Sequence, residues 1–326
     1  MKDLDIINQS KAAYKQWGEQ WRKQAKDHSK YQMKDIVAFQ NIGVGKAILV
    51  IANGYSFEKE LETIKKHQGN VDILCVDKCL KHCLENGITP TYVLVCDANV
   101  SYEKYMKPVQ DKLSNTILFA NVCANPEWAK HGNWKDIYFF VNKDVLKSEQ
   151  EFAALSGCQN FIAAGTNVSN AAVVLLTQCD DRGPNNFFGY DKILLIGFDY
   201  SWDESYYAFD RDGGGKKYYM KQAQAQDLRG NIVHTSPNLL FSAKWFEKYR
   251  TVFKLHIVQC SQDSIVPSTY RGSLEQQMQY RYKAEDAKEV CSLLEYRREL
   301  AAKIEIVNNK IRHIGNDHHQ QILRTV

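Results

Sequence analysis

A glycine turn with polar side chains follows the first apolar run of the sequence, AILVIANG. It contains Asn53 and Gly54, and Ser56 begins the helical pattern that comes next. A glycine lets the backbone approach a ligand closely, and a helix start offers free N–H groups and a positive dipole end to phosphate. An amide such as Asn53 can bond to phosphate or ribose. A tight glycine turn with a purely structural role, and Ser56 as a helix N-cap, is the alternative interpretation.

Three other predicted strands each end in an acidic residue, namely Asp77, Asp97 and Asp199. The carboxyl ends of parallel strands line the crevice where such sheets bind ligands. Carboxylates there can accept ribose hydroxyls or hold Mg²⁺. Helix capping is the alternative, and for Asp77, which directly precedes a helix, it is the stronger one.

A second glycine, Gly165, stands with Thr166 before a helix rich in alanine and serine. Small residues let that helix lie close to the sheet, and its first turn is a second candidate anion site. Simple capping by the same residues is the alternative.

Aromatic residues and one histidine complete the candidate chemistry. Tyr206 and Tyr207 follow the strand that ends at Asp199, where they could enclose a base or a sugar ring. A surface loop that packs its own rings is the alternative. His234 lies in a predicted loop and could act as a general acid or base, although a single loop histidine is more often structural.

The elements that must position these residues alternate along the chain. Apolar runs separated by helices of about ten residues predict crossover connections and a parallel sheet covered on both faces. We therefore expect a Rossmann-like three-layer α/β sandwich with a mostly parallel sheet and helical extensions at both ends. The first 35 residues, with Tyr14, Trp17 and Trp21 at helical spacing, predict one amphipathic helix or two short ones. The predicted domains are a helical extension (1–45), a nucleotide-binding transferase domain (46–262) and a C-terminal helical region (263–326).

Composition narrows the classes of function. The chain has 326 residues, 44% of them hydrophobic, and a net charge of +4, which is too weak to indicate nucleic-acid binding. We expect no signal peptide, since no apolar run follows a basic start, and no membrane insertion. Nine cysteines, several inside apolar strand patterns, indicate reduced thiols and a cytoplasmic protein.

The charged C-terminal tail predicts a helical hairpin or an arm for homo-oligomer formation. We expect no metal site.

Four segments together resemble the MptE-like family of 6-hydroxymethylpterin diphosphokinase-like proteins, which includes the motility accessory factor glycosyltransferases. They are GKAILVIANGYSFEKELETIKK, VDILCVDKCLKHCLENGITPTYVLVCD, FIAAGTNVSNAAVVLLTQC and KILLIGFDYSW. A second resemblance joins IGFDYSWDESYYAFD and KWFEKYRTVFKLHIVQC to bacterial sialyltransferases of the Campylobacter type, which use CMP-sugars. The two resemblances cover roughly two-thirds of the chain.

The resemblance implies roles for individual residues. It implies that Asn53, Gly54 and Ser56 contact the nucleotide, that Gly165 and Thr166 lie at the donor, and that Tyr206 or Tyr207 lies near the phosphate or sugar. It also implies that His234 is the general base. Three features depart from the family pattern: Ala52 replaces a glycine, Tyr55 replaces a proline, and CDAN at Asp97 replaces an acidic metal motif.

The function predicted on these grounds is a glycosyltransferase that moves a sugar from a CMP-linked donor, of the sialic or nonulosonic type, to a hydroxyl of a glycan or protein. No cofactor is required in that mechanism. A diphosphokinase that uses ATP and Mg²⁺ held by Asp97 and Asp199 is the alternative. A non-catalytic nucleotide-binding member of the family is a third interpretation.

Overall fold

A computed structural model describes residues 3–143, 146–163, 165–177, 187–202, 209, 223–253, 255, 257–266 and 272–279. All of these residues belong to one compact unit. The predicted tyrosines Tyr206 and Tyr207, and most of the predicted C-terminal region, lie outside the described residues. The predicted domain boundaries therefore stay predictions.

Within the described residues, eight strands form one sheet in the order β10-β7-β1-β2-β3-β4-β5-β6. Every neighbouring pair in it is parallel. The strands are β1 (Ala47–Ile51), β2 (Asp72–Val76), β3 (Tyr92–Val95), β4 (Ile117–Asn121), β5 (Asp136–Lys143), β6 (Phe161–Ala163), β7 (Lys192–Ile196) and β10 (Ile257–Gln259). Their apolar runs are buried; in β1 all five residues are. The predicted parallel α/β architecture is confirmed.

The helices connect these strands and cover the sheet. They are α1 (Asp3–His28), α2 (Ser56–Lys59), α3 (Leu61–His67), α4 (Leu80–Glu85), α5 (Tyr102–Tyr105), α6 (Glu127–His131), α7 (Glu149–Ser156), α8 (Val168–Thr177), α9 (Pro237–Val252) and α10 (Leu274–Met278). The small-residue helix α8 packs on β1, β2 and β3, as its composition predicts. None of the described helices combines the length and the apolarity that a bilayer crossing requires.

Two local predictions are corrected by the structure. The helical pattern that begins at Ser56 forms two helices divided at Glu60, and Ser56 is the first residue of α2 rather than its N-cap. His234 was expected in a loop, but it lies in β9 (Ile232–Thr235), which pairs with β8 (Ala223–Gln226) in an antiparallel hairpin. The alternation of exposed and buried side chains in β9 is that of a strand with one solvated face.

The strand order reverses beside β1. The chain runs from β1 through β6 toward one edge of the sheet and then returns to place β7 on the other side of β1. Crevices form at such switch points, because the connections after the two central strands leave in opposite directions. The register, with Ile51 opposite both Cys75 and Ile196, brings the ends of β1, β2 and β7 to the same level.

A buried carboxylate fixes the two turns at this switch point. Asp199 is fully buried and accepts hydrogen bonds from the Ser56 N–H (2.8 Å) and hydroxyl (2.6 Å). The Ser56 hydroxyl in turn accepts the Gly197 N–H at 3.0 Å. These contacts, which we call the Asp199–Ser56 clamp, give the first N–H group of α2 a carboxyl acceptor from the turn that follows β7. A Cβ on Gly54 would clash with Asp199 and with the Gly197 carbonyl, so the clamp requires glycine there.

Helix α1 lies over the loops that follow β3 and β4. The Gln24 amide donates to the Ala98 carbonyl at 2.9 Å, and the His28 ring nitrogen Nδ1 lies 2.8 Å from the Val122 carbonyl. Farther toward its start, α1 joins α7 through Glu151, which binds the Arg22 guanidinium (2.6 Å) and the Tyr14 hydroxyl. These contacts hold α1 across the carboxyl ends of the strands.

We expect Ser56→Ala to lower the free energy of unfolding by about 1–3 kcal/mol, because it leaves the buried Asp199 carboxylate and the Gly197 N–H each short of a partner. Urea unfolding monitored by circular dichroism measures the change. The control is Ser29→Ala, which removes an exposed serine hydroxyl bonded to the Lys26 carbonyl and should shift stability by no more than about 0.5 kcal/mol. Equal effects of the two variants would show that the clamp does not stabilise the fold.

Candidate functional site

A cavity of about 420 Å³ opens at the carboxyl ends of the central strands, and we call it the switch-point cavity. Among the predicted site residues, its lining includes Asn53, Gly54, Asp77, Asp97 and Gly165. These five residues are spread over more than a hundred positions of the sequence. They meet at one edge of the sheet because the carboxyl ends of parallel strands lie on the same edge.

The turn after β1 forms one wall. Gly54 donates its N–H to the Gly197 carbonyl at 3.0 Å, so the two turns are joined through their backbones. The Asn53 side chain is half-buried, and its Oδ1 lies 4.0 Å from the Cys79 thiol. This weak contact leaves the amide able to bond to a ligand.

The start of α8 forms the opposite wall through Gly165, Asn167, Val168 and Ser169. Gly165 must be glycine, because a Cβ there would clash with the backbone N–H of Ala171. A ten-residue helix has positive potential at its start, which suits phosphate. The Asn167 side chain already accepts the Asn170 N–H at 2.8 Å, so the first-turn N–H groups that remain for a ligand are those of Val168 and Ser169.

Asn170, which the sequence analysis missed, holds this wall in place. It is fully buried, its Oδ1 accepts from the Tyr200 hydroxyl (2.7 Å), and its Nδ2 donates to Thr166 Oγ1 (2.8 Å) and to the Ser242 carbonyl (3.2 Å). Thr166 is bonded within this network and does not line the cavity. The signal was a polar residue directly before the apolar run AAVVLL, since buried amides occur where they find partners.

Asp77 is the most unusual group in the cavity. Its side chain is 1% exposed; Oδ1 accepts the Lys78 N–H at 2.7 Å, and Oδ2 has no hydrogen-bond partner in the described structure. Burial raises the pKa of Asp77 to about 6, and the nearby Asp97 carboxylate adds to the rise. A buried, unpaired carboxylate oxygen is costly, so this one is suited to accept a hydrogen bond from a ligand.

Asp97 lies at the end of β3 and is exposed, with Oδ1 accepting the Asn99 N–H at 2.8 Å. It lines the switch-point cavity together with Asp77, and two carboxylates beside a phosphate site could hold Mg²⁺. Among the residues that the structure describes, no group of three or more His, Cys, Asp and Glu side chains is arranged to hold a metal ion.

Besides Thr166, three predicted residues lie away from the cavity surface. Ser56 and Asp199 are buried behind the Gly54 turn in the Asp199–Ser56 clamp. His234 is exposed on the β9 hairpin, where its ring stacks on Trp202 with centroids 6.4 Å apart, and it does not line the cavity.

A second cavity, of about 410 Å³, adjoins the first. We call it the aromatic cavity, because Tyr14, Trp17, Trp21 and Phe152 form one side of it. The helical spacing of the first three was visible in the sequence, but nothing there indicated that α1 would lie over the strand ends.

The raised pKa of Asp77 predicts a dependence of stability on pH. The folded chain holds this proton up to about pH 6, whereas the unfolded chain releases it near the ordinary value of 3.8. Its contribution to the free energy of unfolding is therefore full at low pH and is lost as the pH rises through this window. Asp77→Asn cannot lose a proton, so we expect the variant to become more stable than the wild type between these two values and to remain so at neutral pH.

Urea unfolding of both proteins from about pH 4 to about pH 7 measures this difference. Because other carboxyl groups titrate in both proteins, only the difference between them reports on Asp77. A difference that does not change with pH would contradict the raised pKa.

Comparison with known proteins identifies the family. Residues 19–205, more than half of the chain, match the family described as 6-hydroxymethylpterin diphosphokinase MptE-like. No curated protein matches the sequence. A solved structure of the MAf glycosyltransferase from Magnetospirillum magneticum AMB-1 has a similar fold, with a TM-score of 0.59 and 13% identity over 83% of this chain. This chain spans 40% of the length of that protein. The resemblance to sialyltransferases stays a prediction, whereas the predicted family is confirmed: the chain belongs to the 6-hydroxymethylpterin diphosphokinase MptE-like family.

Proposed function

We propose that the chain is a glycosyltransferase whose nucleotide-activated sugar donor binds in the switch-point cavity. The observation that carries the proposal is the meeting, in one cavity, of the Gly54 turn, the start of α8 and the unpaired Asp77 carboxylate oxygen. Helix N–H groups suit the donor phosphates, and a buried acceptor oxygen suits a ribose hydroxyl. The fold shared with the MAf glycosyltransferase supports the same class of reaction.

The donor we propose is a CMP-linked sugar of the sialic or nonulosonic type. The support for this finer assignment is the sequence resemblance of the segments around β7 and α9 to bacterial sialyltransferases. A cavity of about 420 Å³ is within the range that small-molecule ligands occupy.

In the proposed reaction the oxygen of an acceptor hydroxyl bonds to the anomeric carbon of the donor sugar as the bond from that carbon to the phosphate oxygen breaks. The phosphate keeps the bonding electron pair, and the N–H groups at the start of α8 stabilise its added charge. The hydroxyl proton passes to a base. The sequence predicts His234 for this role, which stays a prediction, since the imidazole is exposed and does not line the cavity.

A second candidate function is transfer of diphosphate from ATP to a hydroxymethyl pterin. The family description and the two carboxylates in the cavity favour it. Asp77 and Asp97 would hold the Mg²⁺ that neutralises the ATP phosphates. Asp199, predicted for this task from the sequence, is fully buried in the Asp199–Ser56 clamp and so cannot share it in this structure.

Nucleotide binding separates these functions. We expect CMP to raise the melting temperature of the protein more than UDP, GDP or ATP does. This effect should not require Mg²⁺. Asn53→Ala should weaken CMP binding about tenfold, the cost of about one hydrogen bond to an ionised group. The control, Asn133→Ala, removes an exposed amide that does not line the cavity and should bind CMP like the wild type.

Two results of the melting-temperature measurements with these nucleotides would contradict the proposal. Stabilisation by ATP that requires Mg²⁺, with no response to CMP, would favour the diphosphokinase. No response to any nucleotide would remove both enzymatic functions proposed for the switch-point cavity.

We expect His234→Ala to leave CMP affinity within about twofold of the wild type, since the ring lies outside the cavity that binds the nucleotide. Isothermal titration with CMP measures the affinity, and transfer from a CMP-sugar measures the role as a base. Loss of transfer with full CMP affinity would support His234 as the base. Undiminished transfer would exclude His234 from the mechanism, and weaker CMP binding would contradict its position outside the cavity.

A further inference from the structure

The switch-point cavity and the aromatic cavity share one wall. Cys96 and Asp97, which follow β3, and Asn142 in β5 line both of them. The aromatic cavity extends from this wall to α1, which closes its far side with Trp17 and Trp21. A ligand in either cavity therefore contacts the same three residues.

We propose that the aromatic cavity binds a sugar ring of the acceptor, with its reacting hydroxyl against Asp97 on the shared wall. This inference rests on the proposed function, because it assigns the second substrate of the same reaction.

The aromatic side of the cavity suits a pyranose. One face of such a ring presents C–H groups and is apolar, so it packs flat on an indole, while the hydroxyls around its rim need polar partners. Trp17 is 37% exposed, unusual for so large an apolar side chain, and it lies on the same helix as Trp21. Tyr14 and Phe152 support Trp21, with ring centroids 6.2 and 6.4 Å from it.

The opposite side of the cavity supplies the polar partners. The Asn142 Oδ1 atom is buried and has no hydrogen-bond partner in the described structure, so a sugar hydroxyl donating to it would remove an unfavourable state. Asn99 Oδ1 is held by the Gln20 amide at 2.9 Å, which keeps a second amide in a fixed orientation.

The charges of the cavity favour a neutral ligand over a phosphorylated one. Its described lining includes no Lys, Arg or His side chain, and its one ionisable carboxyl group is Asp97. It also lacks the glycine turn and helix start found in the switch-point cavity. The donor phosphate is therefore better placed in the switch-point cavity, and an uncharged acceptor in the aromatic one.

Of the three residues in the shared wall, Asp97 is the one that can take the acceptor proton. The Asn142 amide does not titrate, and a thiol is ordinarily protonated at neutral pH, whereas a carboxylate is ordinarily ionised. As the acceptor oxygen bonds to the anomeric carbon and the donor phosphate leaves with its electron pair, the hydroxyl proton passes to the Asp97 carboxylate. Asp97 is then the catalytic base, in place of His234.

Saccharide binding without any donor tests the subsite. The probes are glucose, galactose, N-acetylglucosamine and lactose, followed by saturation-transfer NMR and by tryptophan fluorescence. We expect at least one of them to bind the wild type and to bind Trp17→Ala at least about tenfold more weakly. Trp17→Phe should restore much of the affinity, because it keeps an aromatic face. The control is Phe253→Ala, which removes an aromatic ring of similar exposure (41%) outside both cavities and should bind like the wild type.

A parallel titration with CMP separates this inference from the proposed function. If CMP binds but no saccharide does, or if Trp17→Ala binds saccharides as well as the wild type, the acceptor subsite is excluded and the donor site stands. If saccharide binding depends on Trp17 but no nucleotide binds, the sugar site stands and the transferase fails. A fluorescence response to unglycosylated peptides alone would also overturn the inference.

Asp97→Asn tests the base. We expect transfer turnover to fall by about 10²- to 10⁴-fold while saccharide affinity stays within about threefold. Undiminished turnover would exclude Asp97 as the base, and a matching loss of saccharide affinity would indicate that it only binds the acceptor.

Discussion

The candidate site depends on one buried set of hydrogen bonds to a carboxyl group, the Asp199–Ser56 clamp. A fully buried carboxylate is tolerated only where hydrogen bonds compensate for its lost hydration, and Ser56 supplies two of them. The same serine hydroxyl accepts the Gly197 N–H, so one side chain joins the turns that follow β1 and β7. The distance between these turns sets the width of the crevice between them.

Chain topology adds the rest of the site. Because the strand order reverses beside β1, the loops after β1 and β7 leave room at the centre of the sheet, and α8 closes that space with its first turn. Helix α1 is held over the ends of β3 and β4 by Gln24 and His28, and this creates a second space beside the first. Two neighbouring cavities thus arise from one parallel edge and one added helix.

Much of this arrangement could be predicted from the sequence, for a definite reason. Continuous apolar runs alternating with helices specify a parallel sheet, and in such a sheet residues that end strands share an edge. Asn53, Gly54, Asp77, Asp97 and Gly165 do line one cavity. Glycine at positions 54 and 165 was also informative, because both sites exclude a Cβ.

Long-range partners could not be predicted in this way. Asp199 and Ser56 looked like ligand-binding groups because their partner is 143 positions away, and a pattern along the chain does not show which polar groups satisfy each other. The β8–β9 hairpin was missed because its period-2 pattern is short, and it places His234 on an exposed strand. The position of α1 depends on side-chain contacts with loops, for which its amphipathic pattern carries no information.

The wall common to the two cavities has a thermodynamic consequence. If one ligand that touches Cys96, Asp97 and Asn142 changes the affinity for a second ligand on the other side, the factor is the same in either order of binding. Asp97 is the one carboxylate among these three residues. An anion in the switch-point cavity repels it, whereas a hydrogen-bond donor in the aromatic cavity is attracted to it. Such heterotropic coupling would act through the residues that both ligands contact.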